Sequence, residues 1–233
     1  MECLSSPEEA AQRRGEKNPG LSGRNGTVLT ASDVSFIVAS RRWDAENVAR
    51  IRAMLPAGSE LIVSTVPGGA AYARNVGAAS ARGQVFAFFD DDVQLTADWE
   101  NVLRSIQKGG WDFGVAEWYS PDQKVRSPWM VMACCGLNLL TRVFRYRLTM
   151  SGFTAMRREA FEAVGGYPLE GTYEEPALTM RLYGQHFRGV HLPIRVTVLR
   201  SWDSFHRFND TTSRNKPHPA PRPGEVVSVP ARI

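Results

Sequence analysis

Three consecutive carboxylates, Asp90, Asp91 and Asp92, follow directly on the apolar run Val85 to Phe89. The run is short, β-branched and aromatic, and Gly83 bounds it upstream, so it reads as a strand buried on both faces. Nothing in folding favours three like charges where such a strand leaves the core, because each disfavours ionisation of the next. A bound divalent cation removes that objection. Hard cations such as Mg²⁺ and Mn²⁺ take oxygen ligands, often one or two carboxylates with the remainder from a phosphate-bearing substrate. Ligands of open α/β sheets also collect outside the carboxyl ends of the strands, which is where these residues fall. Without the strand before it, the same triplet would read as a solvated acidic turn.

Placing carboxylates there requires strands alternating with helices, and the chain has that pattern. Val34 to Ala39 reads as an apolar strand. Asp44 then caps a helix to about Leu55, with Val48, Ile51 and Leu55 on one face and Pro56 and Gly58 ending it. Leu61 to Val63 form a second strand, with Val66-Pro67-Gly68-Gly69 as its exit loop. Ala70 to Ala81 is a small-residue helix stopped by Gly83, and the strand before the carboxylates follows. Thr96 is expected to cap a further helix, roughly Ala97 to Gln107, before strand character resumes from Trp111 to Trp118. The alternation predicts an α/β domain with a mostly parallel, doubly wound sheet.

A chain of 233 residues suits one such domain with loose ends. Residues 1–30 are polar and aperiodic, and the stretch 209–233 carries Pro217, Pro219, Pro221 and Pro223. The amino end shows no apolar stretch of the secretory type. The three cysteines, Cys3, Cys134 and Cys135, form neither a disulfide framework nor a zinc spacing, which suits a reducing cytoplasm. Cys134 and Cys135 read as core filling, since neighbouring cysteines bridge only with strain. The net charge of +4 is compatible with phosphate-bearing substrates or an anionic membrane surface, and too small to argue for nucleic acid without a motif.

The stretch Ala73-Arg74-Asn75-Val76-Gly77, then Ala81-Arg82-Gly83, leads directly into the carboxylates. This block resembles the GT-A-fold glycosyltransferases, most nearly the large inverting family 2, and the resemblance extends from about Val34 to about Pro193. A second block is similar to the same family: Ser151 to Arg158, Val164-Gly165-Gly166-Tyr167, then Tyr173-Glu174-Glu175-Pro176 and on to Arg181-Leu182 and Gly184. The resemblance implies a GT-A fold over residues 31–208 and transfer of a hexosyl group from a nucleotide-sugar donor, with Mn²⁺ or Mg²⁺ as cofactor. It assigns Asp92 to the metal, Asp90 to the metal shell or the ribose, and Asp91 to the variable place between them. Arg74 and Asn75 fall on the donor side. There Arg74 could add fixed positive charge near the phosphates, or be a surface helix arginine. The family's acidic pair becomes Glu174-Glu175, with Glu175 in the general-base position. Pro176 fits a first helical position, so both glutamates fall at a helix N-terminus, whose dipole favours the ionised carboxylate that a base needs. Read without the other blocks, the pair is an ordinary acidic helix start.

The chain also departs from the family pattern. Ala39-Ser40-Arg41-Arg42-Trp43 replaces the usual turn after the first strand, and Ser64-Thr65-Val66-Pro67-Gly68-Gly69 lacks the carboxylate that recognises the nucleobase. Ser40, Arg41, Ser64 and Thr65 are the residues left to line an altered donor pocket. His206 is the candidate for a late metal ligand, with a structural or exposed histidine as the alternative.

Within the domain, residues 128–150 join an apolar run, Trp129 to Leu140, to Arg142, Arg145 and Arg147. The run is too short to span a bilayer. Its composition suits peripheral contact with an anionic membrane, and hence a lipid-linked acceptor at the inner face; it equally suits a buried helix or a subunit contact. An acceptor glycan is the other substrate class. The rival to an enzyme is a non-catalytic GT-A-like subunit that binds a nucleotide or a partner protein. A sugar-nucleotide pyrophosphorylase is disfavoured, because the amino end holds no Gly-rich, Arg- and Lys-containing nucleotidyl-transfer loop.

Overall fold

Val34–Ala39 (β1), Glu60–Ser64 (β2) and Val85–Asp90 (β3) are parallel neighbours in the order β2-β1-β3, with Ala39 level with Ser64 on one side and Asp90 on the other. In this computed structural model, residues 29–40, 43–107, 110–118, 152–170, 174–199 and 226–229 are described. Ala45–Met54 (α1) links β1 to β2, and Ala70–Ser80 (α2) links β2 to β3. Asp44 caps α1, its Oδ1 accepting from the N–H groups of Glu46 and Asn47, as its sequence position predicts.

Beyond β3 come Val93–Ala97 (β4), Trp99–Gln107 (α3), Phe113–Trp118 (β5), Phe153–Arg157 (β6), Arg158–Ala163 (α4), Glu174–Gly184 (α5) and Gly189–Val198 (β7); Val226–Val229 (β8) completes the set. The sheet runs β4-β7-β5-β6-β3-β1-β2-β8. Its pairings put β1, β2, β3, β5 and β7 in one direction and β4, β6 and β8 in the other, so the mixed sheet is mostly parallel, as the alternation of elements predicts.

Two elements differ from the sequence expectation. Thr96 lies in β4 and does not cap a helix; Asp98 does that work, its carbonyl accepting from Val102 N–H and its Oδ1 from Asn101 N–H. Val93 and Leu95 alternate with more open residues and pair with β7, so a period of two overrides the cap signal of a threonine. The Pro-rich end also contains a strand. Val226-Val227-Ser228-Val229 is β-branched enough to add antiparallel to the outer edge of β2.

The central strands are apolar on both faces, and each face has its own helices. Phe36, Val38, Val85, Ala87 and Phe89 pack under α1 and α3, where Trp99 sits edge-on to Phe36 at 5.2 Å and its indole N–H donates to the Met54 carbonyl. Ile37, Ile62, Phe86 and Phe88 pack under α2, α4 and α5 with Phe161, Tyr167, Leu178 and Leu182. Gly77 lets α2 press onto the sheet, for a Cβ there would lie 2.6 Å from Ile37 Cγ2.

One buried carboxylate fixes the turn that enters β3. Glu60 Oε2 accepts from Ser35 Oγ at 2.5 Å and from Arg82 N–H at 2.8 Å, while Oε1 accepts from Arg82 Nε at 2.8 Å; Ser35 Oγ in turn accepts from Gly83 N–H. Burial alone would raise this carboxyl, but the bonds from Arg82 and Ser35 outweigh it and hold Glu60 below the usual glutamate range. A depressed carboxyl stabilises the fold above its unfolded value of about 4.3, and the contribution is lost as pH falls through the folded value. Glu60→Gln should therefore destabilise the protein at pH 7 by about 1–3 kcal/mol and flatten the acid limb of the stability curve. Urea titrations between pH 3 and 7 check this; parallel limbs for variant and wild type would remove Glu60 from the account.

Candidate active site

The carboxyl ends of β1, β2 and β3 converge where the sheet order reverses between β1 and β3, the place at which open α/β sheets bind ligands. Asp90 is the last residue of β3, and Asp91 and Asp92 form the two-residue turn into β4. Ser40, just past β1, bridges the crevice by donating its hydroxyl to Asp91 Oδ2 at 2.6 Å. The backbone of the turn is held from α1. Arg50 donates to the carbonyls of Asp91 and Val93 at 2.8 Å each, and Asn47 Nδ2 donates to the Asp91 carbonyl at 3.1 Å. The Asp92 carbonyl accepts from Leu199 N–H at the end of β7. Asn47 and Arg50 belong to no motif in the sequence. Their one signal is a spacing of three on α1, which puts both on the face beside the turn.

The centre of the site is Arg74, on α2. Its side chain is 5% exposed, yet it reaches three carboxylates from two distant parts of the chain. Nη2 donates to Asp90 Oδ1 at 2.7 Å and lies 3.6 Å from Glu175 Oε1, and Nη1 lies 3.6 Å from Glu174 Oε1. The carboxylates are more open, at 44% for Asp90, 30% for Glu174 and 24% for Glu175. The guanidinium also lies 5.1 Å from the centre of the Tyr167 ring. Burial alone would lower the pKa of Arg74, but Asp90, Tyr167, Glu175 and Glu174 together raise it above the ordinary arginine value. Burial pushes the Glu175 carboxyl up to about 8, with Arg74 opposing the rise and Asp90 and Glu174 adding to it. Burial likewise raises the Tyr167 phenol, against the pull of Arg74.

Asn75 fixes the geometry of this cluster. Its Nδ2 donates to the Tyr167 carbonyl and its Oδ1 accepts from Tyr167 N–H, both at 2.8 Å. The preceding Gly166 has φ +75°, and a Cβ there would lie 2.7 Å from Asn75 Oδ1, so glycine is what lets the turn seat against α2. Asn75 thus ties the Gly165-Gly166-Tyr167 turn to the helix that carries Arg74. Glu174 and Glu175 occupy the first turn of α5, and Pro176 is its third residue, not its first. A proline is tolerated there because the first four helical N–H groups have no intrahelical partner.

Of the sequence candidates, Asp90, Arg74, Glu174 and Glu175 come together directly, with Asp91 and Ser40 beside them. Ser64 is fully buried at the end of β2, facing α2 near Gly77, and Thr65 is half-buried beyond it. Arg41, His206 and residues 128–150 lie outside the described residues. Among the described residues no three His, Cys, Asp or Glu side chains form a ready-made cation cage. Asp90 and Asp92 offer two hard oxygen donors, the number suited to a cation that takes its other ligands from water and phosphate. Carboxylate oxygens are the donor type that Mg²⁺ and Mn²⁺ take.

A mixed, mostly parallel sheet with its switch point between β1 and β3 is the architecture of the GT-A glycosyltransferases. The glycosyl transferase family 2 model matches residues 45–165, just over half the chain, and the protein belongs to that family. No curated protein matches it in sequence. Among solved structures, it is similar to the mannosyltransferase PcManGT from Pyrobaculum calidifontis in complex with GDP-Man and Mn²⁺, at 14% identity and a TM-score of 0.52 over 76% of this chain and 59% of that one. It is also similar to S. aureus TarS 1-349 in complex with UDP-GlcNAc, at 16% identity and a TM-score of 0.51 over 76% of this chain and 53% of that one. The chain thus spans less than two thirds of either structure. At such identities the likeness speaks to fold alone. Among the described residues no helix is long and apolar enough to cross a membrane.

Proposed function

We propose that this protein is a metal-dependent, inverting glycosyltransferase that moves a hexosyl group from a nucleotide sugar to an acceptor hydroxyl or phosphate. The observation that carries the reading is the meeting of Asp90 with Glu174 and Glu175 around Arg74, at the carboxyl ends of the central strands where open α/β sheets bind their ligands. Asp90 and Asp92 are the residues that would hold Mn²⁺ or Mg²⁺. The cation supplies Lewis-acid neutralisation of the charge that builds on the departing nucleoside diphosphate. Glu175 takes the proton of the acceptor hydroxyl as the new glycosidic bond forms and the bond from the sugar to the diphosphate breaks. Base and leaving group on opposite sides of the sugar give inversion in one displacement.

GDP- and UDP-sugars are the first donors to try, since the similar structures hold one of each. A thermal-shift panel of nucleotide sugars with and without Mn²⁺ tests the reading, because a ligand that binds only the native state raises its apparent stability. A shift that needs both sugar nucleotide and cation is expected; no shift across the panel would overturn it. A lipid-linked acceptor would bring the protein to an anionic membrane through residues 128–150, where Arg142, Arg145 and Arg147 would each add about 1 kcal/mol of attraction. Flotation with anionic vesicles should then weaken with salt, and failure to bind at low salt would point to a glycan acceptor.

A further inference from the structure

Arg74 has more donor capacity than the structure uses. Among the described residues, only Nη2 makes a hydrogen bond within 3.5 Å, to Asp90, while Nε and Nη1 are buried without a hydrogen-bond partner. Both glutamates of α5 stand at 3.6 Å, just beyond hydrogen-bond range. A buried guanidinium with idle N–H groups is costly unless those groups are satisfied in another state. Hydrogen bonds of a catalytic constellation are often long in the free enzyme and tighten when substrate arrives. Arg74 is also anchored from below, by the Tyr167 ring and by the Asn75 bonds that hold the Tyr167 backbone. The moving partners are then the carboxylates, not the arginine.

We propose that Arg74 is a positioning residue: one guanidinium sets the distance between Asp90 on the donor side and Glu175 at the start of α5, and closes on both glutamates in the reacting complex. This rests on the glycosyltransferase reading, and it departs from a role for Arg74 as a direct contact to the donor phosphates. A fixed fork is needed for that task. Its planar nitrogens hold carboxylates in fixed, separated directions, whereas lysine's three N–H groups rotate about one atom on a flexible stem. Positioning errors of about 1 Å cost on the order of 10²-fold in rate.

The test is Arg74→Lys, which keeps the buried charge, assayed by nucleoside diphosphate release from the UDP- or GDP-sugar that the Mn²⁺ panel selects. Far-UV circular dichroism and thermal melting should match wild type within a few degrees. The expected result is a kcat lower by about 10²-fold with the donor KM within about threefold of wild type. In a Glu175→Gln background the same substitution should cost kcat less than about threefold, because its partner has already been disabled. A donor KM raised tenfold or more at unchanged kcat would make Arg74 a phosphate contact and overturn the proposal. So would an equal loss of kcat in both backgrounds. If Arg74→Lys does not fold, Arg74→Gln, which keeps side-chain N–H donors without the charge, is read through the same cycle with Glu175→Gln. Failure of wild type to bind any nucleotide sugar would instead sink the glycosyltransferase reading, and melting cycles of Arg74→Lys with Glu175→Gln would still show whether the two side chains are coupled.

Discussion

Replacing Glu175 by glutamine should lower turnover by about 10²–10⁴-fold while leaving donor affinity near that of wild type. Glutamine keeps the size and much of the hydrogen bonding, so Arg74 and the first turn of α5 stay in place, but the amide cannot take a proton. Nucleoside diphosphate release measured beside calorimetric donor binding separates the two effects. The same residue dictates a pH profile. Burial holds the carboxyl at about 8, so the base is largely protonated at neutral pH in the free enzyme. A base works only when deprotonated; kcat/KM should therefore climb as pH rises through about 8 and fall away on the acid side. The Glu174→Gln variant should be milder, because Glu174 approaches Arg74 through Nη1, whereas Glu175 approaches the Nη2 that binds Asp90. Normal turnover by Glu175→Gln would reduce the residue to a helix start and favour a binding module over an enzyme.

Asp92→Asn should abolish the Mn²⁺-dependent part of donor binding with the fold intact. At a hundredfold excess of ligand over its dissociation constant, a wild-type complex gains about 2.7 kcal/mol of apparent stability, and that gain should vanish in the variant. The backbone bond from Leu199 N–H to the Asp92 carbonyl survives the substitution, as do the bonds from Arg50 and Asn47 that fix the turn. Circular dichroism confirms the fold, and calorimetry with and without Mn²⁺ reads the affinity. A variant that keeps its metal-dependent affinity would take Asp92 out of the cation site.

The strand before the carboxylates, the capped helix at Asp44 and the small-residue helix through Gly77 were legible because each is written in local chemistry. Continuous apolar runs mark strands buried on both faces, Asp44 satisfies orphan N–H groups, and small residues allow a helix to approach a sheet. That signal extended to the arrangement of the first three strands, since helices between parallel strands leave few topologies. It faded where local signals compete. Thr96 resembles a cap in isolation, and only pairing with β7 makes it a strand residue; Val226–Val229 gains its partner from an edge nearly the whole chain away.

The same division runs through the site. The apolar strand before it singled out Asp90, and the family resemblance singled out Arg74, Glu174 and Glu175. What Arg74 does was not visible in the sequence. A helix arginine near a phosphate and a helix arginine buried under three carboxylates have the same sequence. The difference comes from Gly166 and Asn75, which draw a turn ninety or so residues away onto α2 and carry α5 with it. Local propensity decided which residues carry charge and where strands end; long-range packing decided which charges meet, because a buried guanidinium can be tolerated only where distant carboxylates are brought to it.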